Sequence, residues 1–193
     1  MDSWKTLSRE TVLDRGKFLR VEDHTVELPD GRVIEQWPWI ITPDFINVVA
    51  LTDDNRFLLF RQGKYAIEGE ALAPIGGYLE PGEEPLAAAQ RELLEETGYE
   101  ASDWIDLGHY RVDTNRGAGT AYFFMAHHAQ PIAARDADDL EEQELLLLTR
   151  AEVEAALQRG DFKALPWLTN ILLALRQIAQ QKPGFSKLEV DSI

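Results

Sequence analysis

Two stretches of interleaved apolar and polar residues, 19–28 and 33–40, flank the turn signal Pro29, Asp30 and Gly31, which predicts a β-hairpin over residues 18–41. Largely apolar runs at 46–51 and 57–61 surround Asp53, Asp54 and Asn55 and predict two further strands. Residues 72–75 read as a short strand. From 85 to 97 the period becomes that of a helix. Pro85 suits the first turn, Gly98 supplies the stop, and Leu86 and Leu93 fall on one face directed at a core. Strands over 104–112, 121–127 and 145–148 follow. Thr149 then caps a helix, with Glu152 three residues on completing a capping box. A last helix over 166–180 carries the apolar stripe Leu168, Ile171, Leu172, Leu175 and Ile178. Strands before and after a central helix, with helices at the end, predict an α/β fold in which a mixed sheet is sandwiched between helices.

Length divides this pattern into a strand-rich N-terminal extension over residues 1–45, a main domain over 46–181 and a loose tail over 182–193. A hydrophobic fraction of 45% is enough for a real core. With no cysteine, disulfides, zinc thiolates and a thiol nucleophile are excluded. No apolar run reaches membrane-spanning length and the first residues lack a signal-peptide core, so a cytoplasmic protein without a membrane partner is expected. A net charge of −15 repels polyanions and argues against a nucleic-acid partner. A small phosphorylated substrate is compatible with it, because metal ions and a few local cations invert the field inside one cleft.

The chemistry is concentrated between Gly77 and Tyr99. A glycine-rich turn containing Glu83 leads into the helix, where Glu92 and Glu96 are four residues apart with Glu95 beside them. The three carboxylates share a face away from the predicted core, and like charges at this spacing destabilise an isolated helix. A divalent cation removes that conflict, since hard ions such as magnesium prefer oxygen ligands.

These residues resemble the Nudix box: glycine, five residues, glutamate, seven residues, then Arg-Glu-aliphatic-any-Glu-Glu-any-Gly-aliphatic. The match holds at Gly77, Glu83, Arg91, Glu92, Leu93, Glu95, Glu96 and Gly98, and departs at Tyr99, where an aliphatic residue is usual. The resemblance implies an α/β/α sandwich and a magnesium- or manganese-dependent hydrolase of a nucleoside diphosphate linked to another moiety. It also implies roles for residues. Glu92 and Glu96 would be metal ligands, Glu95 a ligand or a nearby base, and the carbonyl of Gly76 a further ligand. Glu83 would pair with Arg91 in support of the site.

In the ADP-ribose pyrophosphatase branch a loop glutamate completes the site. Glu141 fits that position here, with Glu142 and Glu144 as alternatives. For the substrate, Arg61 and Lys64 are placed to meet the diphosphate or terminal ribose, although the branch usually has arginine where Lys64 falls. Trp37 and Trp39 could stack on a base or serve the core or an interface, and Arg116 could contact a phosphate or sugar or stay solvated. The branch tends to carry a proline in the loop that here reads Asp113 to Thr120 without one. The four histidines show no metal-ligand spacing. The resemblance further implies a homodimer in which the N-terminal strands reach across to the partner. The expected substrate is ADP-ribose or a similar nucleoside diphosphate sugar. A dinucleotide polyphosphate hydrolase and a non-catalytic metabolite sensor are the alternatives, and no basic helix-turn-helix segment accompanies the chain as a regulator would require.

Overall fold

A computed structural model describes residues 3–134 and 143–181. Among these, eleven strands and three helices follow one another as β1 (Lys5–Asp14), β2 (Arg20–Glu27), β3 (Val33–Ile41), β4 (Phe45–Thr52), β5 (Phe57–Gly63), β6 (Glu70–Ala73), β7 (Ile75–Tyr78), α1 (Pro85–Thr97), β8 (Tyr99–Glu100), β9 (Asp103–Asp113), β10 (Gly117–Pro131), β11 (Gln143–Leu148), α2 (Arg150–Arg159) and α3 (Leu165–Gln181). One path of strands runs β1-β2-β3-β10-β4-β5-β11. β4 and β10 lie parallel, with Ala121 opposite Phe45, while β9 returns antiparallel to β10. The sheet is therefore mixed, as the order of elements predicts.

Both faces of β4 are covered, which explains its near-continuous apolar run. Ile46, Val48 and Ala50 point to one side and pack with Leu58, Phe60, Ala88, Ala89 and Leu93 under α1. Val49 and Leu51 point to the other and join Phe57, Met125, Val153, Ile171 and Ala174 under α2 and α3. Helices on both faces of a sheet make the expected α/β/α sandwich.

Several details differ from expectation. Leu86 is 41% exposed, and α1 packs instead through Ala88, Ala89 and Leu93, whose two small side chains let the helix lie close to the sheet. Leu172 is 50% exposed, because the buried line of α3 runs through Ile171 and Ala174, with Leu168, Leu175 and Ile178 packed against it. The strand expected over 72–75 divides at Pro74, whose nitrogen cannot donate to a ladder. β6 pairs with β5 and β7 with β4. The hairpin over 18–41 forms, but a third strand, β1, pairs with β2. β1 is exposed almost throughout and so has no periodic apolar face to betray it.

Gly98 ends α1 in the left-handed conformation at φ 74°, with its N–H on the carbonyl of Leu94. A Cβ there would stand 2.3 Å from the carbonyl oxygen of Ala133. Gly98→Ala combines the left-handed penalty with a backbone clash and is expected to destabilise by roughly 2 kcal/mol or more. Its Tm should fall by at least about 4 °C on thermal unfolding, and an unchanged Tm would contradict this C-cap geometry.

Candidate active site

β7, the turn after it and α1 form the site. The Arg91 guanidinium lies at its centre. Nε donates to Glu83 Oε1 at 2.9 Å and Nη2 to Glu83 Oε2 at 3.1 Å, a two-pronged pair that ties the turn to the helix. Nη1 donates to Glu92 Oε1 at 2.7 Å and to Glu95 Oε2 at 3.0 Å, and Nη2 also reaches the carbonyl of Tyr78 at 3.2 Å. Glu83 accepts a further bond from the N–H of Glu80 at 2.9 Å. The Arg91 hydrogen bonds hold the Glu83 carboxyl below the usual carboxylate range and push the guanidinium pKa up. Burial pushes the Glu92 carboxyl up, against the opposing pull of Arg91.

Two glycines let the helix carboxylates rest on β7. A Cβ on Gly77 would stand 1.9 Å from Glu92 Oε1, and Gly76 donates its N–H to Glu96 Oε2 at 3.2 Å. Glu92 and Glu96 thus sit over consecutive residues of one strand, with Glu95 half exposed beside Arg91. Among the described residues, no three acidic or imidazole side chains are grouped tightly enough to cage a metal. Glu92 and Glu95 are instead held by Arg91, and Glu96 accepts from the Gly76 N–H.

A divalent cation nonetheless fits this donor set. All donors are hard oxygens. Glu83, Glu92 and Glu95 set three negative charges on the one guanidinium of Arg91, a deficit that a divalent ion reduces. The Gly77 cradle keeps the Glu92 carboxylate against the strand, and Gly76 presents its N–H to Glu96.

Two cavities flank these residues. One of about 340 Å³ is lined by Asn47, Lys64, Gly76, Gly77, Glu96 and Trp167, among others. The other, about 1120 Å³, contains Arg91 and Glu92 together with Lys17, Phe18, Tyr78 and Tyr122. Phe18 stands edge-on to Tyr78 at 6.3 Å, so the β1–β2 turn closes on the box within the same chain.

The expected substrate residues are dispersed. Lys64 reaches the Glu96 cavity, but Arg61 lines a different one and bonds Glu144 at 2.8 Å. Trp37 donates to the carbonyl of Asn115 at 2.8 Å and lies edge-on to Trp4. Trp39 stacks on the buried His24 at 5.3 Å. Both tryptophans line a cavity of about 620 Å³ whose walls include no box residue. Arg116 turns back on Asp113 at 3.4 Å within the β9–β10 turn, and its carbonyl accepts from the Ile40 N–H. Glu141 and Glu142 lie outside the described residues, whereas Glu144 is in β11. Lys17, Phe18, Tyr78, Tyr122 and Trp167 carry no sequence signal for the site. Asn47 does, as the one polar residue within the run 45–51.

A family model described as the NUDIX domain matches residues 42–168, and one described as the nucleoside diphosphate sugar hydrolase N-terminal domain matches residues 4–40. The chain is 27% identical to an ADP-ribose pyrophosphatase of Bacillus subtilis over 80% of this chain and 81% of that protein. It is 27% identical, with the same coverage, to a methanol dehydrogenase activator of Bacillus methanolicus. The fold matches the crystal structure of an ADP compounds hydrolase with a TM-score of 0.79 at 22% identity, over 94% of this chain and 97% of that one. With its box intact from Gly77 to Gly98 and the domain model spanning most of its length, the chain belongs to the Nudix family.

Proposed function

We propose that this protein is a magnesium- or manganese-dependent pyrophosphatase that hydrolyses the diphosphate bond of ADP-ribose or a similar nucleoside diphosphate sugar. The observation that carries the reading is the set of box carboxylates beside β7, three of them on the one guanidinium of Arg91 and the fourth, Glu96, on the N–H of Gly76. Such a charge deficit suits cation capture beside a phosphate far better than a solvated helix face. The substrate class is supported by the relative named ADP-ribose pyrophosphatase and by the nucleotide-sugar description of the N-terminal model. Retention of every box carboxylate favours turnover over sensing alone.

Glu92, Glu96 and the carbonyl of Gly76 would hold the cation, with Glu95 as a further ligand or as the base that takes a proton from the attacking water. When bound, the ion supplies charge neutralisation on phosphoryl oxygens and acidifies a water. The chain does the rest. Arg91 and Glu83 lock the turn to α1 so that β7 and the helix keep their register. Lys64 brings a point charge to the cavity holding Glu96 and would meet a phosphate oxygen. Glu141 would come from the loop before β11. A role for Arg61 or Arg116 requires exchange of their present carboxylate partners, Glu144 and Asp113, for substrate oxygens. Trp37 lines a cavity without box residues, so in the homodimer proposed here its contact with a base would be made to the substrate of a second copy. Among the described residues no helix is long and apolar enough to cross a membrane, and the cysteine-free chain suits the cytoplasm.

Products from a panel of nucleotide sugars, separated after incubation with magnesium or with chelator, test this. The expected result is a nucleoside monophosphate and a sugar phosphate from ADP-ribose, formed only with the ion. No cleavage of any member would overturn the hydrolase reading, and equal cleavage in chelator would overturn its metal dependence.

A further inference from the structure

Four of the five tryptophans have a partner within the fold. Trp4 and Trp37 meet edge-on, Trp39 stacks on His24, and Trp104 packs on Phe124 and donates to the carbonyl of Ala101. Among the described residues Trp167 has none. Its ring meets no other ring, its indole N–H reaches no acceptor, and it belongs to neither core cluster. It is nevertheless half-buried, because it forms a wall of the 340 Å³ cavity that also holds Gly76, Gly77 and Glu96 of the box. The segment leading into α3 fixes its place. Phe162 is buried in the core, the Asp161 carbonyl accepts from the Leu72 N–H at 2.9 Å, and Lys163 Nζ donates to the carbonyl of Glu68 at 2.6 Å.

Gln62 continues the face of β5 that carries Leu58 and Phe60 into the core under α1. It is 7% exposed and lines the same cavity, and among the described residues its side-chain amide has no hydrogen-bond partner. Neither polar atom of that amide is closed off from solvent, so it opens onto the cavity. A nearly buried polar group of this kind calls for a partner. The amide offers a donor and an acceptor in one plane. An indole face beside such an edge suits a heteroaromatic ring, whose faces stack and whose rim carries hydrogen-bonding groups. The volume lies within the range of small-molecule sites.

We infer that Trp167 and Gln62 form a ring subsite, in which a heteroaromatic ring on a ribose phosphate stacks on the indole and has its rim read by the amide, with the phosphate toward the box. This rests on the nucleotide-hydrolase reading above and adds a specificity site on β5 and α3. The ring comes from the base of the nucleoside or from a sugar that carries a ring across the diphosphate.

Ligand-observed NMR titration of the whole chain in magnesium with AMP, nicotinamide mononucleotide and ribose 5-phosphate tests it, because the first two differ from the third only in carrying a ring. Trp167→Leu should weaken at least one ring-bearing ligand about tenfold, whereas Trp167→Phe, which keeps a stacking face, should stay within about threefold of wild type. Gln62→Met removes the amide at similar size and should weaken the same ligand about fivefold. Ribose 5-phosphate should stay within about twofold throughout. Loss for AMP places the base of the nucleoside here. Loss confined to nicotinamide mononucleotide places the ring of a distal sugar here and leaves the base to Trp37. Wild-type affinity for both ring-bearing ligands in Trp167→Leu overturns the inference. So does an equal loss for ribose 5-phosphate, or a wild type that binds neither ring-bearing ligand better than ribose 5-phosphate. If the leucine variant fails to fold, a fivefold loss in Gln62→Met supports the inference and wild-type affinity there overturns it. A wild type with Trp167-dependent ring binding that cleaves no nucleotide sugar would remove the hydrolase reading and leave this one standing. Cleavage with unchanged ring affinity in the leucine variant would do the reverse.

Discussion

Glu96→Gln is expected to lower kcat for nucleotide-sugar hydrolysis about 1,000-fold while moving Tm by no more than about 2 °C. The carboxylate accepts the Gly76 N–H at 3.2 Å, and a glutamine side-chain oxygen can accept the same bond, so β7 stays seated on α1. What disappears is a negative charge needed to hold a divalent ion. Loss of several kcal/mol of transition-state charge stabilisation corresponds to roughly three powers of ten in rate. Removing one carboxylate from a crowded acidic cluster should, if anything, ease repulsion in the metal-free protein. Steady-state kinetics with saturating manganese and a thermal melt together decide the matter. Wild-type turnover in the variant would remove Glu96 from the metal site, whereas a large fall in Tm would make its role structural.

Arg91→Met is expected to show the opposite balance, with stability as its main loss. The guanidinium serves Glu83, Glu92, Glu95 and the Tyr78 carbonyl at once. Glu83 and Glu92 expose only 15% and 14% of their side chains, so deleting their partner leaves two largely buried charges uncompensated. Breaking such a network costs about 3–5 kcal/mol when fully buried. Arg91 is 26% exposed and Glu95 53%, which brings the expectation to roughly 3 kcal/mol, or a Tm lowered by about 6–10 °C.

The pH dependence follows from Glu83. Its folded pKa is depressed, so its contribution is present above the unfolded pKa and is lost as pH falls through the folded one. The wild type should therefore lose this increment on acidification, and the Tm gap to Arg91→Met should narrow as pH falls below the ordinary carboxylate range. Added Mn²⁺ should return part of the lost Tm by replacing the missing positive charge. Melts across pH, with and without the ion, check this, and a variant as stable as wild type at neutral pH would contradict the central place given to the guanidinium.

The parts of the site that lie within one continuous stretch were the legible ones. Spacing alone places Glu92, Glu95 and Glu96 on one side of a helix bounded by Pro85 and Gly98, because helical geometry is local. Thr149 and Glu152 form the expected capping box for the same reason. What depends on distant segments was not legible. That Arg61 and Lys64, three residues apart, serve different cavities follows from the alternation of β5 and from Glu144 on β11 lying opposite Arg61. That Phe18 meets Tyr78 depends on how the β1–β2 turn folds back, which no periodicity records. Leu86 and Leu172 lie outside the core because a helical stripe specifies a direction but not how far the opposing surface extends. That Asn47, a polar residue in an apolar strand, lies opposite Gly76 is likewise a pairing of distant segments.

Anomalous scattering from crystals soaked in manganese tests the central claim most directly. The account predicts a manganese peak within bonding distance of Glu92, Glu96 and the Gly76 carbonyl, with Glu92 drawn off the Arg91 guanidinium. A map without a peak there, in which Glu92 and Glu95 remain on Arg91, would contradict it.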